Sequence, residues 1–171
     1  MKLLVPLVLI LIVRPLGLMS QNTIPAKINT KKKVGAIVFN PELDDPSFPL
    51  CDENNIMEYY QVKPRYKEGL KSIRQYFSQV GLDSLALGLK DGFITVRFVV
   101  NCEGQTDRYR VYAVDENYQT QLVPFENQDR LKRWLRKMGG WTAGQYEGIE
   151  YDSYKFLTFK IKNNKKTEIM T

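Results

Sequence analysis

Phe93-Ile-Thr-Val-Arg-Phe-Val-Val-Asn-Cys-Glu-Gly104 alternates apolar and polar side chains and then runs into a turn. Successive side chains of a strand point to opposite faces, so Ile94, Val96, Phe98 and Val100 share one face while Thr95 and Arg97 share the other. One face is expected to be buried and the other wet. Asn101 to Gln105, with Gly104 free to take a positive φ, predicts a hairpin loop. Beyond it Tyr109, Val111 and Ala113 alternate with Arg108 and Arg110, which predicts a second strand paired antiparallel to the first.

On the N-terminal side Asp91-Gly92 turns the chain into this strand. Before it, Leu70, Ile73, Phe77 and Val80 fall three and four residues apart with Lys67, Lys71 and Arg74 between them, which predicts an amphipathic helix. Pro64 suits its first turn and Gly81 its end. On the C-terminal side, after the polar stretch Asp115 to Gln121, Leu131, Trp134, Leu135 and Met138 recur at helical spacing among Arg130, Lys132, Arg133, Arg136 and Lys137. This second helix places cations where its dipole favours them, and Gly139-Gly140 stops it. Trp141-Thr-Ala-Gly144 follows. Then Leu157, Phe159 and Ile161 alternate with Thr158, Lys160 and Lys162, and Asn163-Asn164 can turn the chain into a short last strand ending at Ile169. From Pro64 the order is helix, strand, strand, helix, strand. Two helices with apolar stripes must share one face of the sheet, so the expected fold is α+β, a mostly antiparallel sheet of three to four strands with both helices on one side.

Gly92, the run Ile94-Val96-Phe98-Val100, Asn101 with Gly104, Leu131 to Leu135, Trp141 with Gly144, and Phe156 to Ile161 together resemble the C-terminal domain of TonB, the periplasmic protein that couples inner-membrane energy to outer-membrane receptors. The resemblance covers about residues 66 to 170. Ala143 stands where the family has proline. In that family a short extended segment of a receptor adds to the sheet's edge, main-chain hydrogen bonds giving affinity and side-chain pockets selectivity. The resemblance therefore implies a protein partner, an outer-membrane receptor or another envelope protein, met at the closing strand by Tyr154, Phe156, Thr158, Lys160 and Lys162. Edge lysines are also a guard against unwanted pairing, and a strand at Lys165 to Met170 would cover that edge. The motif residues Gly92, Asn101, Gly104, Trp141 and Gly144 also read as structural, Trp141 as a lid on the sheet and Gly144 as a turn a side chain would hinder.

The N-terminus departs from an energy transducer. Met1-Lys2, the apolar run Leu3 to Val13 and Ser20 before Gln21 read as a secretory signal peptide over residues 1–20. Arg14, Pro6 and Pro15 argue against the rival, an inner-membrane anchor facing the periplasm. Residues 21–33 form a polar leader ending in three lysines, and even fully extended they reach only about 45 Å. Residues 34–63 make an N-terminal extension, with a short apolar segment at Val34 to Phe39, loop chemistry at Asn40 to Asn55 and a candidate strand at Tyr59-Tyr60-Gln-Val62. Residues 64–171 make the domain. Loss of the signal takes Lys2 and Arg14 and no acid, lowering the formal charge from +6 to +4. In an exported chain that balance reads as solvated faces, not as nucleic-acid binding. Export also puts Cys51 and Cys102 where disulfides persist, either bridged across about 50 residues or as two separate thiols.

There is no histidine, so Ser-His and Cys-His nucleophilic systems and the commonest metal ligand are absent. Two cysteines without a CxxC make no thiolate zinc site. The pairs Asp44 with Asp45 and Glu147 with Glu150 lie in polar loops, where solvated charge is the simpler reading. The expectation is a binding module with no catalytic residue, metal or cofactor. Its alternatives are a membrane-anchored transducer, which needs an uncleaved N-terminus, and a carboxylate hydrolase, which needs a pocket burying two carboxylates with raised pKa values.

Overall fold

The strand-forming alternation is strongest where the sheet is central. A computed structural model describes residues 35–171; the expected signal peptide and leader, and Val34, lie outside the described residues. The chain runs through a helical turn α1 (Tyr59–Val62), β1 (Arg65–Tyr66), α2 (Gly69–Gln79), β2 (Gly92–Val100), β3 (Thr106–Asp115), β4 (Thr120–Gln121), α3 (Phe125–Lys137), β5 (Trp141–Thr142), β6 (Gly144–Tyr146), β7 (Ile149–Tyr151), β8 (Ser153–Lys162) and β9 (Lys165–Met170). The principal sheet has five strands in the order β4-β3-β2-β8-β9, every neighbouring pair antiparallel. Two small ladders, β1 with β5 and β6 with β7, stand beside it. The α+β class, the antiparallel sheet and the helix-bearing face agree with the pattern in the sequence. Among the described residues no helix is long and apolar enough to cross a membrane.

The core lies between the helices and one sheet face. Ile94, Val96, Phe98 and Val100 of β2 and Leu157, Phe159 and Ile161 of β8 meet Ile73 and Phe77 of α2 and Leu131 and Leu135 of α3. Phe77 crosses Phe159 edge-to-face at 5.1 Å, the offset geometry that aromatic quadrupoles favour. Trp141 packs against Phe98 and Tyr66, so the expected lid is part of this core. The other face carries a smaller cluster in which Ile37 and Ile56 of the N-terminal segment cover Val99 and Tyr154. That segment is tied down by the Cys51–Cys102 disulfide, with Cα atoms 6.2 Å apart, and by the two-pronged ion pair of Asp44 with Arg110 at 2.6 and 2.7 Å.

Four expectations need correction. The helix expected from Pro64 begins at Gly69, because Arg65 and Tyr66 pair with Thr142 and Trp141 instead. Tyr59 to Val62 is a helical turn, not a strand. The main sheet has five strands rather than three to four. Most consequential, the closing strand β8 is not an edge. Asn163 and Asn164 take positive φ of 50° and 61°, the hairpin turns, and β9 pairs with Thr158 to Lys162. Met57 bridges Ser153 at the other end, its carbonyl accepting from the Tyr154 N–H at 2.9 Å. Strand addition at Thr158, Lys160 and Lys162 is therefore pre-empted by the chain's own last strand.

Candidate functional site

The β8 residues singled out as a partner-binding edge share a face rather than a free edge. Tyr154, Phe156, Thr158, Lys160 and Lys162 alternate with Leu157, Phe159 and Ile161 of the core, so all five project from the side opposite the helices. Across the ladder Thr95 lies opposite Thr158 and Arg97 opposite Phe156; on β3, Tyr112 lies opposite Thr95. The N-terminal segment covers this face at the Tyr154 end. Where its cover stops, a groove of about 400 Å³ opens between Tyr59, Thr95, Arg97, Tyr112, Phe156 and Thr158.

The groove has a rigid polar line and aromatic walls. Arg97 Nη2 donates to both oxygens of Glu58 at 3.0 Å, and its guanidinium lies 4.6 Å from the centre of the Tyr154 ring. The cation is thereby held by a carboxylate on one side and a π-face on the other. Glu58 is placed by the start of α1, where Gln61 Oε1 accepts from its N–H at 3.0 Å. The Thr95 and Thr158 hydroxyls share a hydrogen bond at 2.9 Å along the floor. Tyr59 meets Phe156 edge-to-face at 5.0 Å, and Tyr112, 56% exposed, is open to a partner. Burial raises the Tyr154 pKa, a backbone hydrogen bond from Ile37 and the Arg97 charge opposing it in part, so this ring stays a neutral phenol at ordinary pH. Two more named residues lie further along the same face. Lys160 is exposed, and Lys162 donates to Glu116 at 2.9 Å.

The loop motif is architectural in its contacts. Asn101 is fully buried; its Oδ1 accepts from the N–H groups of Glu103 and Gln105, and its Nδ2 donates to the Pro49 carbonyl. Gly104 has φ of 78° and a Cβ there would strike the Trp141 carbonyl, so the hairpin and the Trp-x-x-Gly element interlock through a missing side chain. Gly144 is likewise crowded by Val62 and Ser153, and Gly92 opens β2.

The carboxylate pairs are not arranged for acid catalysis. Asp44 is buried, which pushes its pKa up, but the hydrogen bonds from Arg110 and Asn40 and the nearby arginines overcome this and leave it lowered. Asp45 is also lowered, by hydrogen bonds from Ser47, and Glu147 and Glu150 are exposed. A general acid needs the opposite shift. Cys51, Cys102 and Asp152 converge within 4.8 Å, but the two sulfurs are bonded to each other and Asp152 accepts from the N–H groups of Asp52 and Cys102. This cluster is a clasp, with no thiolate left to ligate a metal.

Sequence reasoning placed Thr95 and Arg97 on the wet face, and the same alternation could have added Tyr112. Glu58 and Tyr59 carried no periodic signal. They reach the groove because Met57 docks beside β8. Compared with family models, curated proteins and solved structures, the chain matches none.

Proposed function

We propose that the chain is an exported protein-binding module of the TonB C-terminal type, which grips an extended segment of an envelope partner, such as an outer-membrane receptor, in the groove of its open sheet face. One observation carries the reading: Tyr59, Tyr112 and Phe156 converge with the Thr95–Thr158 pair and the Arg97–Glu58 pair where the N-terminal segment leaves the sheet uncovered. Tyrosine and arginine are the residues that dominate protein interfaces, since they offer large area with few torsions to freeze and polar tips that stay satisfied. The order of helix, two strands, helix, Trp-x-x-Gly and closing strand supports the TonB-like kinship. The disulfide supports an oxidising compartment.

Recognition thereby moves from the edge of β8 to its face, since β9 pairs with Thr158 to Lys162 and Met57 bridges Ser153, covering both ends of that edge. The groove binds rather than reacts, because its one carboxylate, Glu58, is held by Arg97. A photo-crosslinking residue at position 112, in cells that make the protein, should give a discrete adduct. The same residue at Tyr118, 76% exposed in the β3–β4 turn, should not. Equal adducts from both positions, or none from 112, would refute recognition in the groove.

A further inference from the structure

The groove on the open face of the sheet is a slot with aromatic walls and a small floor. Tyr112 of β3 lines one side, and Phe156 of β8, with Tyr59 edge-on against it, lines the other. Between them Thr95 of β2 lies opposite both Tyr112 and Thr158, so the row across the floor carries two small hydroxyl side chains. The walls stand on strands two spacings apart, about 9.6 Å. An α-helix with its side chains is about 10–12 Å across, too wide for a slot that ring walls already narrow.

A β-strand fits no better. A sheet face offers side chains and no row of backbone groups, so the main-chain N–H groups of an ordinary extended segment would lose water there without gaining a ladder, at a cost for each one left unmet. The groove's carboxylate is no substitute acceptor, because both oxygens of Glu58 already take Arg97. That same pairing cancels the charge that would select an acidic or a basic segment. Donors are what remain. The Thr95 and Thr158 hydroxyls share one hydrogen bond, which leaves one of their two protons to give. Among the described residues no hydrogen bond engages the Tyr59 or Tyr112 hydroxyl.

We propose that the occupant of the groove is a proline-rich segment of the partner protein in the polyproline II conformation, a choice that rests on the groove being the recognition surface. Each proline lacks an N–H, so no donor is stranded over the sheet face, and the free carbonyls accept from the threonine and tyrosine hydroxyls. Polyproline II repeats every three residues, about 9.3 Å, which is close to the spacing of the strands that carry the walls. Pyrrolidine rings one turn apart therefore reach the Tyr112 wall and the Tyr59–Phe156 wall together. Such a segment is already extended before it binds, so little conformational entropy is lost, and aromatic-lined grooves are where segments of this kind dock.

The test is an amide NMR titration of the whole exported protein with a soluble proline-rich peptide and with a peptide of the same length in which every proline is alanine. The proline-rich peptide should give saturable shifts at Thr95, Tyr112 and Phe156, and the alanine peptide, which restores the N–H groups, should bind at least tenfold more weakly. Tyr112→Ala, at an exposed position, should weaken the proline-rich peptide by about tenfold, the loss expected of an aromatic anchor. Mass spectrometry of the adduct captured from position 112 in cells should place the crosslink in a proline-rich stretch. No saturable shift up to millimolar peptide, equal binding of the two peptides, shifts that lie outside the groove, or undiminished binding to folded Tyr112→Ala would overturn the proposal. A discrete adduct at position 112 that maps to a segment without proline would overturn this choice of occupant and leave the groove as the recognition surface, whereas the absence of any adduct would remove both.

Discussion

Asp44 shows how a single side chain fixes a segment that has no secondary structure of its own. Its carboxylate has no exposed surface, takes both prongs of Arg110 and accepts the Asn40 N–H at 2.8 Å. A buried charge is tolerable only when paired this completely. Removing one partner leaves the other uncompensated, so Asp44→Asn should cost about 3 kcal/mol at neutral pH. The pH dependence follows from the sign of the shift. Asp44's folded pKa lies below its unfolded value of about 3.9, so its stabilisation is complete above that value and disappears as pH falls through the folded one. Melting temperatures of wild type and Asp44→Asn should differ most near pH 7 and converge below about pH 4. A gap that persists unchanged into acid would show that the carboxylate is not the cause. Trp141 is the corresponding anchor on the core side. Trp141→Ala removes the contacts with Phe98 and Tyr66 and should cost about 3–5 kcal/mol, read by denaturant melts, and a wild-type curve would count against its place in the core.

The β8–β9 hairpin decides which recognition mode is open to the sheet. Its turn demands positive φ at Asn163 and Asn164, and Asn is among the few side chains that accept it. Asn163→Val should therefore cost roughly 1–2 kcal/mol and loosen β9, exposing the edge at Thr158 to Lys162. Chemical denaturation would give the loss, and faster amide exchange confined to β9 and its β8 partners would locate it. Uniformly unchanged exchange would mean that the turn does not hold the strand. This hairpin was legible in the sequence, as were β2, β3, α2 and α3, because period two or 3.6 with one buried face leaves a direct trace in the order of residues. The start of α2 was not, since Arg65 and Tyr66 are drawn into a ladder by Trp141, a partner remote in the chain. Arg108 gave no warning either. It sits at φ of 56° in a bulge where two residues of β3 face Phe98, and its side chain turns to Glu53. The groove was half legible. Alternation along β8 and β2 assigns Phe156, Thr158, Thr95 and Arg97 to one face, but which part of that face stays open depends on where an irregular segment lies.

At the scale of the whole described unit, that irregular segment is what differentiates the two sides of the sheet. Helices cover one face through about two turns each of apolar stripe, a self-consistent packing that needs no covalent help. The second face is covered by few apolar side chains, Ile37 and Ile56 with Ala36, Phe48 and Leu50 beside them, too little to hold a loop-rich stretch against its conformational entropy. The clasp of Cys51, Cys102 and Asp152 makes up the difference at one point, joining the segment to the β2–β3 loop by a covalent bond and to the start of β8 through Asp152. Closing a loop across a separation of 51 residues should stabilise by about 4 kcal/mol in the chain-entropy account. The double variant Cys51→Ser, Cys102→Ser should therefore melt well below the oxidised wild type, and wild type in a dithiol reductant should melt with the variant, while reductant leaves the variant itself unmoved. Because the same segment supplies Glu58 and Tyr59, the reduced protein should also lose the defined wall of the groove. Faster exchange at the α1 amides on reduction, with the helix-face core still protected, is the pattern expected. Equal melting of oxidised and reduced protein would mean that noncovalent contacts alone hold the segment in place.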